Sequence, residues 1–381
     1  MKKVVVIGAN AFQYPLIKKA RDRGYQTHVF AWEDGAVGKE IADYFYPISI
    51  VEKEEILEKC KQILPDAVCT IASDLASKTV CFLAEKLGLP GNTIRCSEIA
   101  TDKHLMRRAF EAAGVPSPKS ILVTEETDLD ALQYELPVIV KPADRSGSRG
   151  ITKVERKEDL MAAVARAMAD SFEKHVLVEE FAEGQEYSVE FLSYQGKHHY
   201  LTTTKKFTTG APGFVETGHV QPAGLDEETE KRVIFEVTKA LDALEVANGA
   251  SHSELKIDEN GRIRFIEIGA RMGGDCIGSD LVELSTDFDF VGGVLDVALG
   301  LEPKIQKREK SKYAWSRFLF SQKDEQVLAR LKAEHPDWLV QEYRETQAAP
   351  ETVVVTNSAD RVGFFIASAE EKEVLSYLEN M

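Results

Sequence analysis

Residues 251–275 read SHSELKIDENGRIRFIEIGARMGGD, two apolar-rich runs around Asp258-Glu259-Asn260-Gly261. Asn-Gly between such runs is the strongest short-range hairpin signal. With Asn260 and Gly261 at the centre of a two-residue turn, Glu259 opposes Arg262, Ile257 opposes Arg264, Leu255 opposes Ile266 and Glu254 opposes Glu267. Directly opposed side chains have Cβ atoms about 4.5–5.5 Å apart, where like charges destabilise. Two carboxylates so placed call for a cation between them. Mg2+ suits, because it takes one or two carboxylates and completes its octahedron with phosphates and water. A register differing by one residue would separate the pair. Four residues on, Arg271 offers a planar fork of donors for a carboxylate or phosphoryl group, or is a solvated turn arginine. Gly273-Gly274 leaves backbone N–H groups open to a small anion.

Upstream, the apolar strand Pro137-Val138-Ile139-Val140-Lys141-Pro142 runs into the small-residue loop Ala143–Gly150. Buried strands rarely end on an unpaired lysine, because desolvation disfavours the ammonium. The N–H groups of Ser146, Gly147, Ser148 and Gly150 could close over an anion with Lys141 as the point charge. The plainer alternative is a strand followed by a turn, and the spacing is not that of a P-loop. Between the strands at Val176–Glu179 and Tyr187–Val189 lies an acidic bend. Backbone groups of Glu180 and Ala182 could meet an adenine edge there, and Glu186 a ribose, or the bend is simply solvated. Thr204-Lys205-Lys206-Phe207 and Gly213–His219 form an expected substrate loop, in which one lysine could reach a phosphate. Glu216 and His219 could bind or deprotonate an ammonium group, although a lone loop histidine is more often structural.

The chain has 381 residues, two or three domains at roughly 150 residues each. Acidic residues outnumber basic ones by 63 to 47, a net charge of -16 that argues against nucleic-acid or membrane-surface partners. No stretch approaches the ~18 apolar residues of a spanning helix. The run Val4–Ala9 is too short for a signal peptide and leads into polar Asn10 and Gln13. Cys60, Cys69, Cys81, Cys96 and Cys276 contain no C-x-x-C pair, which disfavours disulfides and zinc and fits a cytoplasmic protein.

Strands at 4–8, 28–32 and 67–71 alternate with helices at 11–23, 52–63 and 74–87, a βαβ succession that predicts a parallel sheet. Asn10 and Ser73-Asp74 follow strand ends, where open α/β sheets bind ligands. The turn Gly8–Gln13 has one glycine of G-x-G-x-x-G and lacks the others, against a nicotinamide or flavin site. Leu89-Pro90-Gly91-Asn92 marks a boundary, and Asp102–Ala113 is an expected helix ending at Gly114. From Leu136 the pattern is α+β. From about Leu301 it has shorter strands (314–320, 352–356, 362–367) and a closing helix from Glu370.

Asp102-Lys103, Lys141 with its loop, Glu179-Glu180-Phe181-Ala182 with Glu186, then Glu254, Glu267 and Arg271 occur in the order of the ATP-grasp ligases. The chain resembles that superfamily over about residues 1–300. Glu216–His219 and Glu267–Gly274 look most like L-amino-acid ligases and carbamoyl-phosphate-synthase-like proteins. The resemblance implies an α/β N-terminal parallel-sheet domain (1–95) and an α+β ATP-grasp fold of two subdomains (96–300), with a small ATP lid at about 115–185. A small C-terminal α+β region (301–381) follows.

It also implies ATP and one or two Mg2+ ions, with Mn2+ a substitute. Lys103, Lys141 and Lys205 (or its neighbour Lys206) would meet the phosphates under the loop Ser146–Gly150. Glu179, Glu180, Phe181 and Ala182 would be cofactor-binding, with Glu180 and Ala182 holding adenine through the backbone and Glu186 the ribose. Glu254 and Glu267 would hold metal, with Arg271, Lys141, Glu216 and His219 catalytic. Many members carry Asn two residues after the second metal-binding Glu; here Gly269 stands there, so a water could replace the amide. The implied activity is ATP-dependent, ADP-forming carboxylate–amine ligation through an acyl phosphate, on a small carboxylate and an amine, in a chain compatible with a homodimer. A carbamoyl-phosphate-synthase-like reaction on bicarbonate or carbamate, and a non-catalytic ATP-binding module, are the alternatives.

Overall fold

Val4, Val5, Val6 and Ile7 are fully buried, as a parallel strand covered on both faces must be. They belong to β1 (Lys3–Ile7), inside a four-stranded parallel sheet ordered β3-β2-β1-β4. Its other members are β2 (Gln26–Phe30), β3 (Tyr44–Tyr46) and β4 (Ala67–Cys69). Helices Tyr14–Asp22 and Lys53–Ile63 supply crossovers, and helix Asp74–Leu87 follows β4. The turn after β1 is filled by Gln13, whose Nε2 donates to the Ile71 carbonyl at 2.7 Å. The computed structural model describes all residues except 146–148, 212, 345–348, 352–353, 356, 371–374 and 376–381.

A second, antiparallel sheet contains β5 (Ser120–Val123), β6 (Val138–Pro142), β7 (Thr152–Val154) and β8 (Val176–Glu180), in the order β5-β8-β6-β7. Helix Leu160–Asp170 covers one face, packing Leu160, Ala163, Val164 and Ala167 on Val140, Val176 and Val178.

The third sheet is antiparallel and eight-stranded. It comprises β9 (Gln185–Tyr194), β10 (Lys197–Thr208), β11 (Glu216–Gln221), β12 (Gly249–Ile257), β13 (Ile263–Gly269), β14 (Tyr313–Leu319), β15 (Leu339–Arg344) and β16 (Gly363–Ala369). The order is β13-β12-β9-β10-β11-β14-β16-β15, so the C-terminal strands continue the sheet through β11 and β14. Of the strand expected over 352–356, Val354 and Val355 lie in no strand and the other three positions lie outside the described residues; β15 was not among the expected strands. The closing helix expected from Glu370 falls largely outside the described residues. Among the described residues no helix is long and apolar enough to cross a membrane.

Between the two antiparallel sheets runs helix Lys103–Ala113, whose buried residues Lys103, Met106, Arg107 and Phe110 follow helical spacing. Asp102 is its N-cap, accepting from the Leu105 N–H at 2.9 Å, and Gly114 (φ +67°) ends it. Two basic residues one turn apart therefore point inward, toward the site.

Candidate active site

The β12–β13 hairpin brings Glu254 opposite Glu267, but not by the turn that the sequence suggests. Ile257 pairs with Ile263, Lys256 with Arg264 and Leu255 with Phe265, so Asp258–Arg262 form a longer turn. A two-residue Asn-Gly turn is therefore corrected; the Asp258 carboxylate instead accepts from the Asn260 and Arg262 N–H groups, each at 2.9 Å. The register is displaced by one residue, and a β-bulge at Ile266 displaces it back, restoring Glu254 against Glu267.

Each carboxylate has its own cation. Lys103 Nζ approaches Glu267 Oε2 at 2.8 Å. Lys206 Nζ and His252 Nε2 approach Glu254 Oε1 at 2.6 and 3.2 Å. The other oxygens, Glu267 Oε1 and Glu254 Oε2, have no protein partner among the described residues. Two facing carboxylates, each with an oxygen to spare, fit a hard divalent cation.

Lys141, next to last in β6, has its ammonium 2.6 Å from Glu179, and Arg107 grips the same carboxylate through Nε (2.8 Å) and Nη2 (3.2 Å). Glu179 is 2 % exposed. Burial alone would raise its pKa, but Arg107 and Lys141 hold it at about 2. Burial, with Arg107 and Lys103 nearby, pushes Lys141 below its usual value despite Glu179. Burial opposes the charge of Lys103, but Glu267 and then Asp74 outweigh it and raise its pKa. Alternation along β8 turns Glu179, expected among the cofactor-binding residues, into this ion triad and leaves its neighbour Glu180 exposed.

At the bend after β8, the Glu180 N–H donates to the Lys119 carbonyl (2.9 Å) and the Phe181 N–H to that of Pro137 (3.3 Å). Ala182 donates to no described carbonyl. Gly184 closes the bend against β12, where a Cβ would meet the Ile257 carbonyl oxygen at 2.2 Å. Ser146, Gly147 and Ser148 lie outside the described residues. Gly150 ends the loop at φ +69°.

Lys206 is the hub of the opposite wall. Its Nζ contacts Glu216 (2.6 Å), Glu254 (2.6 Å) and Glu186 (3.2 Å) at once. Burial opposes its charge, but the three carboxylates lift its pKa well above the ordinary range. Lys205 points to the other face and lies 5.2 Å from the Phe207 ring, so Lys206 rather than Lys205 adjoins Glu254. His252 bridges Glu254 and the fully buried Glu190, whose Oε1 is 2.6 Å from Nδ1. Burial disfavours the imidazolium, yet Glu190 and Glu254 raise its pKa to about 9.

Beyond the hairpin, Arg271 makes a bidentate pair with Asp74 at the start of helix Asp74–Leu87, at 2.7 and 3.1 Å. Asp275 makes another with Arg361, at 3.1 and 2.9 Å. His219, on β11, is fully buried, with Nε2 3.5 Å from Glu216 and neither ring nitrogen in a formed hydrogen bond. Glu216, His219 and Asp275 each present a ligand-type atom within 4.8 Å of one another.

Residues 134–280 match the family model of the ATP-grasp domain. The chain contains an ATP-grasp domain. The alanine–anticapsin ligase of Bacillus subtilis (strain 168) is 30% identical over 307 residues, which cover 69% of this chain and 64% of that relative. The match thus spans less than two thirds of the relative's length. The solved L-amino acid ligase from Bacillus licheniformis superposes with a TM-score of 0.82 at 23% identity, covering 100% of this chain and 96% of that one. Phosphoribosylglycinamide synthetase from Anaerococcus prevotii gives a TM-score of 0.79 at 22% identity, covering 100% and 97%. These two structures establish a shared fold.

Within the ATP-grasp domain, sequence reasoning missed His252 and Glu190; from the preceding segments it missed Arg107, and Asp74 as the partner of Arg271. Signals existed for two of them. His252 lies two residues before Glu254 on the same strand face, and Arg107 is a basic residue on the apolar stripe of its helix.

Proposed function

We propose that this protein is an ATP-dependent, ADP-forming carboxylate–amine ligase that works through an acyl phosphate, with an amino acid or small acid as acyl donor. The observation that carries the proposal is the facing pair Glu254 and Glu267, each already offset by one lysine and each retaining a free oxygen. In this reading Lys103 and Lys141 meet the ATP phosphates, and Glu180 and Ala182 hold adenine by their backbone. Glu186 takes the ribose. Glu254 and Glu267 would hold Mg2+, which would supply positive charge against the phosphates.

The substrate carboxylate attacks the γ-phosphorus and ADP leaves; the amine then attacks the acyl carbon and inorganic phosphate leaves. The protein's part is to orient the reactants and to match developing charge with fixed donors. Arg271 faces the acyl phosphate. Glu216 and His219 bind an ammonium group, and His219, whose ring nitrogens make no hydrogen bond, can accept its proton. The named activity of the alanine–anticapsin ligase supports an amino-acid substrate.

The test is a phosphate-release screen over pairs of amino acids and small acids, with hydroxylamine as a trap. The expected result is a hydroxamate from at least one acid, dependent on ATP and Mg2+. ATP consumption with no acid stimulating it, and no hydroxamate from any acid, would refute the proposal.

A further inference from the structure

A side chain at position 269 would be crowded by the Arg271–Asp74 pair. A Cβ on Gly269 would stand 3.0 Å from Arg271 Cζ, 3.1 Å from Arg271 Nε and 3.1 Å from Asp74 Oδ1. The volume beside the metal-type carboxylate Glu267 is filled by the ion pair instead. An asparagine at 269, common in the superfamily that the sequence resembles, would force the pair apart.

The pair has a definite polarity. Arg271 Nε donates to Asp74 Oδ1 at 2.7 Å and Nη2 to Oδ2 at 3.1 Å, while Nη1 donates to the Met272 carbonyl at 3.2 Å. A guanidinium has five N–H donors. With three committed, one remains on each terminal nitrogen, and these two form the outer end of the fork. We infer that Asp74 is a positioning residue: the N-terminal domain grips one edge of Arg271 so that the opposite edge faces the transferring phosphoryl group. This inference rests on the ligase proposal.

The backbone around Arg271 is secured without Asp74. The Ala72 N–H donates to the Met272 carbonyl at 3.2 Å, and the Ser77 hydroxyl to that of Ala270 at 3.5 Å. What the carboxylate adds is orientation of a long side chain that is otherwise held only through Nη1 on the Met272 carbonyl. Because its negative charge partly cancels the field of Arg271, its benefit lies in geometry and not in attraction for phosphate. Misplacement of a reacting group by about 1 Å can cost on the order of 100-fold in rate.

Three variants test this: Asp74→Asn, Asp74→Glu and Gly269→Ala. The first should lower kcat for hydroxamate formation by about tenfold or more, with ATP affinity by calorimetry unchanged. Asp74→Glu should recover part of the loss. Gly269→Ala should reproduce it, since its methyl displaces the pair while leaving both charges in place. Phenylglyoxal labelling of Arg271, followed by peptide mass, gives a readout independent of turnover and should be several-fold faster in Asp74→Asn. Unchanged labelling would overturn the inference, and so would faster labelling with wild-type kcat. In both cases the ligase proposal would stand. Wild-type protein that forms no hydroxamate from any acid would overturn the ligase proposal, and this role with it.

Discussion

The carbonyl of Ile266, the residue that the bulge leaves over in β13, accepts a hydrogen bond from Arg107 Nη2 at 2.7 Å. Arg107 also binds Glu179, which in turn binds Lys141. One buried guanidinium thus supports both the register that sets Glu254 against Glu267 and the carboxylate that holds the β6 lysine. An irregularity in one sheet and a cation on the other are stabilised by the same helix.

Glu179→Gln should be severely destabilising, because it leaves Arg107 and Lys141 buried without a counter-charge. Breaking such a pair from one side costs about 3–5 kcal/mol. Urea unfolding should show this near neutral pH. A loss below about 1 kcal/mol would mean the triad is hydrated in solution.

The same carboxylate gives the acid limb of stability its shape. Its pKa is depressed from 4.5 to about 2, so its contribution is complete above 4.5 and is lost as pH falls toward 2. The wild-type protein should lose stability through that window. Glu179→Gln, less stable throughout, should show a shallower decline there, which midpoints of denaturation across the acid range would reveal. Parallel curves would remove Glu179 as the cause.

Lys141→Met should fold, since Arg107 keeps Glu179 paired from the other side. It should bind ATP about tenfold or more weakly, the worth of one charge-assisted hydrogen bond. Calorimetry on the folded variant reads this directly, and wild-type affinity would remove Lys141 from the phosphate site.

Glu267→Gln should abolish Mg2+-dependent turnover. Repulsion between facing carboxylates would predict a more stable metal-free protein. The ion pair to Lys103 predicts the opposite, a loss of about 1 kcal/mol in chelator-treated buffer. A rise in stability there would show that repulsion outweighs the pair.

Arg271→Lys should leave ATP affinity nearly unchanged and lower kcat by roughly 100-fold, because a point charge remains but the fork does not. A variant that forms hydroxamate at the wild-type rate would move the acyl-phosphate contact to Lys206 and His219.

The facing carboxylates were legible from strand alternation, yet through two compensating shifts: a longer turn and a bulge. Neither leaves a clear mark in the sequence, since Asn-Gly fits both a two-residue turn and the end of a longer one. Alternation could separate Lys205 from Lys206 only once the inward face of β10 was known, and that depends on pairing with β9 and β11. Period-two geometry sends Glu179 inward to Arg107 and Lys141, a pairing that its place beside the acidic bend does not announce. The pairing of Asp74 with Arg271 joins segments far apart in the chain, so no local pattern could reveal it. Position after a strand end did mark Asp74 as a candidate. The N-terminal parallel sheet and the order of chemistry-bearing segments were readable because both are written in short-range periodicity.

The pairing of β11 with β14 has a consequence for the fate of a shortened chain. β11 carries Glu216 and His219, and the Phe318 ring on β14 packs edge-on to His219 at 5.6 Å between centroids. Without the strands that follow residue 301, β11 would become an open border with a row of unmatched amide and carbonyl groups, a template for recruiting strands from other molecules. The C-terminal strands are therefore a seal as well as a wall. Their loss would show first as self-association, before any change in nucleotide affinity could be measured.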